Sequence, residues 1–341
     1  MLRMVTPSMS IKDEIIDALD GHGDTHPPAI FTQSATVEQM DACGACWPEA
    51  NYDAELMARL ALQASEFNGF GTVRIPYNIT NDAEVFGCEI KHGSKSVQPS
   101  VASSPFMGDM DIVDVPADLI SVDDFMKSER ISMMLDAAGK LSKREDLFFT
   151  TSLNAPFACL ENLLGVENLL MTLMMDTDRV TAWLDAVTPC LSEYAKALSE
   201  LSDNVLIIEE ADSEILPPDY FGPMVGDFLP KVIKACSSYT TIHSCGTTTD
   251  VAADLAKLGE TALSPEASHD LAGYKALVGD SVKLVGSVDP ISVLLHGTPA
   301  DVVAKAKASA EAGFAVITPE CGVSPLTPKD NLDALARYRE L

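Results

Sequence analysis

Short β-branched and apolar runs alternate with helical segments along most of this chain, and that alternation constrains its fold more than any other feature. Strand patterns fall at 29–32, 72–75, 147–151, 205–208, 240–243, 261–265, 282–286 and 314–317. Apolar residues at helical spacing occupy 36–40, 52–67, 83–86, 123–141, 155–201 as two or three helices, 218–236, 248–257, 270–277, 290–311 and 328–339. A strand that reaches its successor through a helix returns parallel to it. Eight such units in 341 residues predict an α/β chain closed into a (β/α)8 TIM barrel. An amphipathic helix at 11–20, stopped by Gly21, adds an N-terminal helical extension. We expect residues 1–341 to form one barrel domain, with 1–28 as N-terminal helix and loop and 88–146 as an irregular excursion followed by a helix. Within it, 88–122 is the least regular stretch, with Pro99, Pro105 and Pro116 among glycines and serines.

Charge excludes several partners. The chain carries 23 Lys and Arg against 51 Asp and Glu, a formal net charge of −28, with no basic block. Nucleic acid and anionic membrane would both be repelled. No apolar run is long enough to cross a bilayer, and the opening MLRMVTPSMSIKDEII lacks the apolar core and cleavage site of a signal peptide. A soluble, cytoplasmic protein is expected. Its eight cysteines are scattered along a long chain, and in a reducing compartment most should be free thiols.

The stretch 240–249, TTIHSCGTTT, carries the chemistry. Residues i and i+2 of a strand share a face, so the His243 imidazole and the Cys245 thiolate can converge on one ion. Cys321 can close a Cys2His set if the fold brings it beside Cys245. In isolation this spacing also fits a buried strand-end histidine and an inert core cysteine. The barrel changes the balance: His243 ends the fifth strand, Cys245 lies just beyond it, Glu266 follows the sixth strand and Cys321 the eighth. All four then sit on the face where barrel enzymes build their sites, and thiolate with imidazole suits Zn2+ first.

Several long strings carry a resemblance: FTQSATVEQMDACGACWPEA at 31–50, VRIPYNITNDAEVFGCEI at 73–90 with QPSV soon after, IHSCG at 242–246, LVGSVDP at 284–290 followed by HGTP, and TPECGVSPLTPKDNL at 318–332. Over nearly its whole length the chain resembles the uroporphyrinogen-decarboxylase-like methyltransferases, and within them the methylcobamide:coenzyme M methyltransferases of methylotrophic methanogenesis. The resemblance implies a zinc enzyme whose metal is held by His243, Cys245 and Cys321. Glu266 is the matching position for a fourth ligand that yields to the substrate thiol. It further implies transfer of a methyl group from a methylated corrinoid to coenzyme M or a related small thiol. No Asp-x-His-x-x-Gly corrinoid-binding signature is present, so the corrinoid is expected on a separate protein that docks transiently. The sulfonate of coenzyme M would be met by barrel-top donors such as Arg74 or the amides of a helix N-terminus.

Two residues depart from that family's pattern: Ser244 stands where an apolar residue is usual and Glu320 where glycine is. The acidic cluster Glu209, Glu210 and Asp212 also replaces a more familiar Asp-Pro pattern after the fourth strand. The alternatives these leave are another acceptor, either another thiol or tetrahydrofolate, and a metal-free uroporphyrinogen-decarboxylase-like enzyme. The latter would bind several carboxylates through arginines near the first strand, where this chain has only Arg3 and Arg59 in its first 70 residues. A closed four-ligand scaffold without catalysis is a third class. Elsewhere, Cys43 and Cys46 read as structural, His22, His26 and His92 as solvated loop residues, His269 and His296 as surface or capping residues, and the Met-rich run 169–175 as core-filling helix.

Overall fold

A computed structural model describes residues 9–33, 35–108, 112–210 and 212–341, so the opening residues 1–8 lie outside it. Six strands form one parallel sheet. In chain order they are β1 (Thr72–Ile75), β4 (Phe148–Asn154), β5 (Asn204–Glu209), β6 (Tyr239–Ser244), β7 (Ala262–Pro265) and β8 (Lys283–Leu284), and they pair in that order. Two further staves complete the barrel without forming regular ladders. Val285 bridges Val316, Val288 bridges Pro319 and Pro28 bridges Ile317, all in parallel. Ile30 N then donates to Thr72 Oγ1 at 2.9 Å, which closes the ring. The physical reason for the irregularity is proline: Pro27, Pro28 and Pro319 supply no N–H to a ladder. The eight staves are those expected from the sequence.

Alternation along the strands divides the core. Phe31, Phe148, Leu206, Ile208, Ala262, Val285 and Val316 fill the barrel interior, with Phe31 and Phe148 stacked at 5.5 Å between ring centroids. Val205, Ile207 and Ile242 face outward and pack beneath the helical layer. The N-terminal helix (Ile11–Leu19) contributes Ile15, Ala18 and Leu19 to the interior cluster. The helix and its C-cap reach the beginnings of the strands: Lys12 Nζ bonds Leu147 O at 3.1 Å and Asp203 Oδ2 at 2.9 Å, and Asp20 accepts from Tyr239 OH at 2.8 Å. This helix therefore plugs the N-terminal mouth and leaves the other mouth for chemistry.

Four expectations need correction. The excursion at 88–122 contains an antiparallel hairpin, β2 (Glu89–Lys91) with β3 (Ser100–Ser103). The helix expected at 123–141 is two helices, Val122–Lys127 and Glu129–Leu141, divided where Ser128 turns extended and its hydroxyl caps Ile131 N. The Met-rich run is not core filling. In the helix Val166–Met175 the helical period buries Leu169, Thr172 and Leu173, while Met174 and Met175 are 78% and 66% exposed. His26 is half-buried rather than solvated, its Nδ1 bonded to Phe314 O at 2.7 Å. Cys43 and Cys46 sit at the end of the helix Val37–Cys43, both thiols directed to Met40 O, as structural cysteines would be.

Candidate metal centre

Strand register points His243 into the barrel. It pairs with Ile208 on β5 and with Ser264 on β7, and the neighbouring interior positions are Leu206 and Thr241. The imidazole is 4% exposed, and its Nδ1 lies 3.0 Å from Ser264 O. Donation to that carbonyl fixes the tautomer and leaves the Nε2 lone pair facing the mouth. Cys245 Sγ lies 3.2 Å from this Nε2. Directly after it, Gly246 turns the chain at φ +69°, and a Cβ there would stand 2.1 Å from Asp212 Oδ2. Only glycine combines that backbone with that contact.

Glu266 arrives from the loop after β7 and Cys321 from the loop after the last stave. One ligand atom from each of His243, Cys245, Glu266 and Cys321 lies within 4.8 Å of all the others. Tetrahedral bonds of about 2.0–2.3 Å place neighbouring ligand atoms about 3.3–3.8 Å apart, so four such atoms fit one ion. Two thiols, an imidazole and a carboxylate are the donor types of a zinc site that can open one position. The four residues singled out in the sequence are thus brought together.

Electrostatics describe a crowded anionic cage. The Cys245 thiol donates to Cys321, which holds Cys321 well below the ordinary thiol range and Cys245 well above it. Burial, and then the charge on Cys321, push Glu266 up to about 8. For His243, burial opposes the charged form, yet the hydrogen bond and charge of Cys321 carry it above its usual value. A cation bound among these groups would replace their protons as the partner of the thiolates and the carboxylate.

Below the cage lies a cavity of about 250 Å³ whose lining includes Arg74, Tyr77, Gln98, Ile208 and Glu210 with the histidine and both cysteines. Arg74 is 4% exposed; its donors reach the Pro76 carbonyl and Ser152 Oγ (2.6 Å), neither of them charged. Among the described residues its Nε has no partner, and burial lowers its pKa to about 9. A guanidinium in this setting is a ready anion anchor.

Two carboxyl groups near the cavity escaped the sequence reading. Glu161, inside the apolar helix Pro156–Leu164, is pushed up to about 9 by burial and then by Glu209 and Glu210, and it shares a hydrogen bond with Glu210. Asp82 is raised to about 6 by burial and accepts two bonds from Asn154 Nδ2, at 2.9 and 3.1 Å. A lone acid in an apolar helix was the available signal for the first. His269 and His296 are exposed, as expected of surface residues.

Comparisons agree with this geometry. Residues 10–340 match the profile of the family described as Uroporphyrinogen decarboxylase (URO-D). The chain is 34% identical over 337 residues to the methylcobamide:CoM methyltransferase MtaA of Methanosarcina barkeri, covering 97% of this chain and 98% of that one. It is 34% identical over 320 residues to the methylcobamide:CoM methyltransferase MtbA of Methanosarcina mazei, covering 92% of each. Among solved structures, a methyltransferase from Methanosarcina mazei superposes with a TM-score of 0.89 at 32% identity, over 98% of this chain and 99% of that one.

Proposed function

This chain belongs to the uroporphyrinogen decarboxylase family, and on that premise we propose that it transfers a methyl group from a methylated corrinoid to the thiol of coenzyme M, with His243, Cys245, Cys321 and Glu266 holding Zn2+. The observation that carries the reading is the convergence of those four side chains at the open mouth of the barrel. The relatives named methylcobamide:CoM methyltransferase support it along almost the full length.

A free thiol is mostly protonated at neutral pH and is a poor methyl acceptor. Bound in this cage, zinc would supply the Lewis acidity that lets the substrate thiol react as a thiolate. The residues do the rest. Cys245 and Cys321 bring two negative charges, which keep electron density on any further sulfur drawn into the set. Glu266 is the hard donor among soft ones and the one best suited to give up its place. Arg74, buried beneath the cavity, meets the sulfonate tail, so the thiol end is directed upward to the cage. In the transfer itself the sulfur forms the new bond to the methyl carbon, the cobalt–carbon pair stays on cobalt as Co(I), and the thiol proton is lost to solvent or a carboxylate.

The corrinoid is a substrate that must approach from above, and we place it on a separate protein that docks transiently over the mouth. Among the described residues no single helix is long and apolar enough to cross a membrane. The test is zinc content together with demethylation of methylcobalamin by coenzyme M, followed by absorbance. We expect one zinc per chain and thiol-dependent demethylation, both lost in Cys245→Ala. A folded, metal-free wild type would end the zinc reading, and zinc with no transfer to any thiol would end the methyltransferase reading.

A further inference from the structure

Glu320 is buried at 6% exposure, immediately before Cys321. Its carboxylate turns away from the cavity toward two other loops. Oε2 accepts the backbone N–H of Ser268 at 2.8 Å and the hydroxyl of Ser287. The same Ser287 hydroxyl oxygen lies 3.3 Å from Ala267 N and accepts its hydrogen, and the Glu320 amide donates to Val288 O at 3.0 Å. Lys305 Nζ donates to Ser268 O, a further tie on the same loop.

Residues 267 and 268 are the two that follow Glu266, so one side chain and the serine it grips hold the strip that carries the fourth donor. Residue 320 adjoins the third donor. The spacing between Glu266 and Cys321 is therefore set by a buried, charge-assisted contact across three barrel loops. Because a buried carboxylate is held by well-aligned donors, the loops it joins are restrained more firmly than exposed loops of this length would be.

We propose that Glu320 is a positioning residue: it holds Glu266 in the fourth place of the ligand set and so governs how readily that place passes from carboxylate to substrate thiol. This rests on the metal site of the preceding reading. It differs from that reading in predicting an effect on the thiol-free state alone, since Glu266 has left the ion once thiol is bound.

The experiment compares wild type, Glu320→Ala, Glu320→Gln and Ser287→Ala after substitution with Co2+, using visible absorption with and without coenzyme M and metal affinity by chelator competition. In Glu320→Ala we expect the thiol-free spectrum to change, the thiol-bound spectrum to match wild type, and metal affinity without thiol to fall about tenfold or more. Glu320→Gln keeps an acceptor for Ser268 N and should recover affinity to within a few-fold. In turnover of the zinc enzyme, Glu320→Ala should change KM for the thiol more than kcat. A folded Glu320→Ala with the thiol-free spectrum and affinity of wild type overturns the proposal, as does equal disturbance of both spectra. If Glu320→Ala does not fold, Ser287→Ala decides: it cuts one grip while leaving the charge, and an unaltered thiol-free spectrum there overturns the proposal. Wild type that takes up neither Co2+ nor Zn2+ removes the metal site itself, whereas a metal-replete wild type with an unaffected variant removes only the role of Glu320.

Discussion

At the scale of single residues, the site is a balance between donors that attract a cation and one buried cation that attracts an anion. Arg74 tests the second half of that balance. Lysine keeps the charge and loses the planar fork. Arg74→Lys should raise KM for coenzyme M about tenfold or more, the loss expected for one charged hydrogen-bond interaction, with a smaller change in kcat. An uncharged thiol such as 2-mercaptoethanol should not feel the change. Equal effects on both thiols, measured in the same steady-state assay, would show that Arg74 supports the barrel rather than the substrate. His243 was legible from the i, i+2 rule because strand geometry is local. Glu161 was not, because its raised proton affinity comes first from burial and then from Glu209 and Glu210, and both depend on tertiary packing.

At the scale of elements, the N-terminal helix deserves the name of plug. Ile15 is fully buried among Phe31, Phe148 and Leu206, side chains from three staves. Ile15→Ala should destabilise the protein by about 2–5 kcal/mol, the usual loss for a large aliphatic residue removed from a core. Chemical denaturation would measure this. Metal content should stay at the wild-type level, because the helix and the cage occupy opposite mouths of the barrel. Loss of metal with folding intact would contradict that placement. The Met-rich helix shows the limit of composition at this scale: apolar content marked it as interior, and the angle of each side chain about the helix axis put Met174 and Met175 outside.

At the scale of the whole molecule, buried acids and net charge act in the same direction. The carboxyls of Asp82, Glu260 and Glu161 are raised to about 6, 7 and 9, in each case first by burial. Their unfolded values are ordinary, so between about pH 4 and 9 the folded chain holds protons that the unfolded chain has released. Stability then falls as pH rises through that window. Self-repulsion from a net charge of −28 adds to the fall and is screened by salt. Metal-free protein, prepared with a chelator, should melt at higher temperature at pH 6 than at pH 9, and added salt should raise Tm more at pH 9. A Tm that rises with pH in calorimetry would contradict this account.

Short-range patterns along the chain account for the architecture and for the candidate ligands. Eight apolar runs separated by helices left a parallel, closed barrel as the economical arrangement; His243 fell at the end of a stave, and Cys245, Glu266 and Cys321 fell in the loops that follow staves. Tertiary structure decided the rest. It set which loops touch, so that Glu320 reaches Ser268 and Ser287 from far along the chain. It also set which side chains lose water, which is why Arg74 lies buried under a cavity on the uncharged Pro76 carbonyl and Ser152 hydroxyl, and Glu161 keeps its proton. Periodicity is a property of neighbouring residues and survives in a linear text; desolvation and contact between distant loops exist only once the chain has closed on itself.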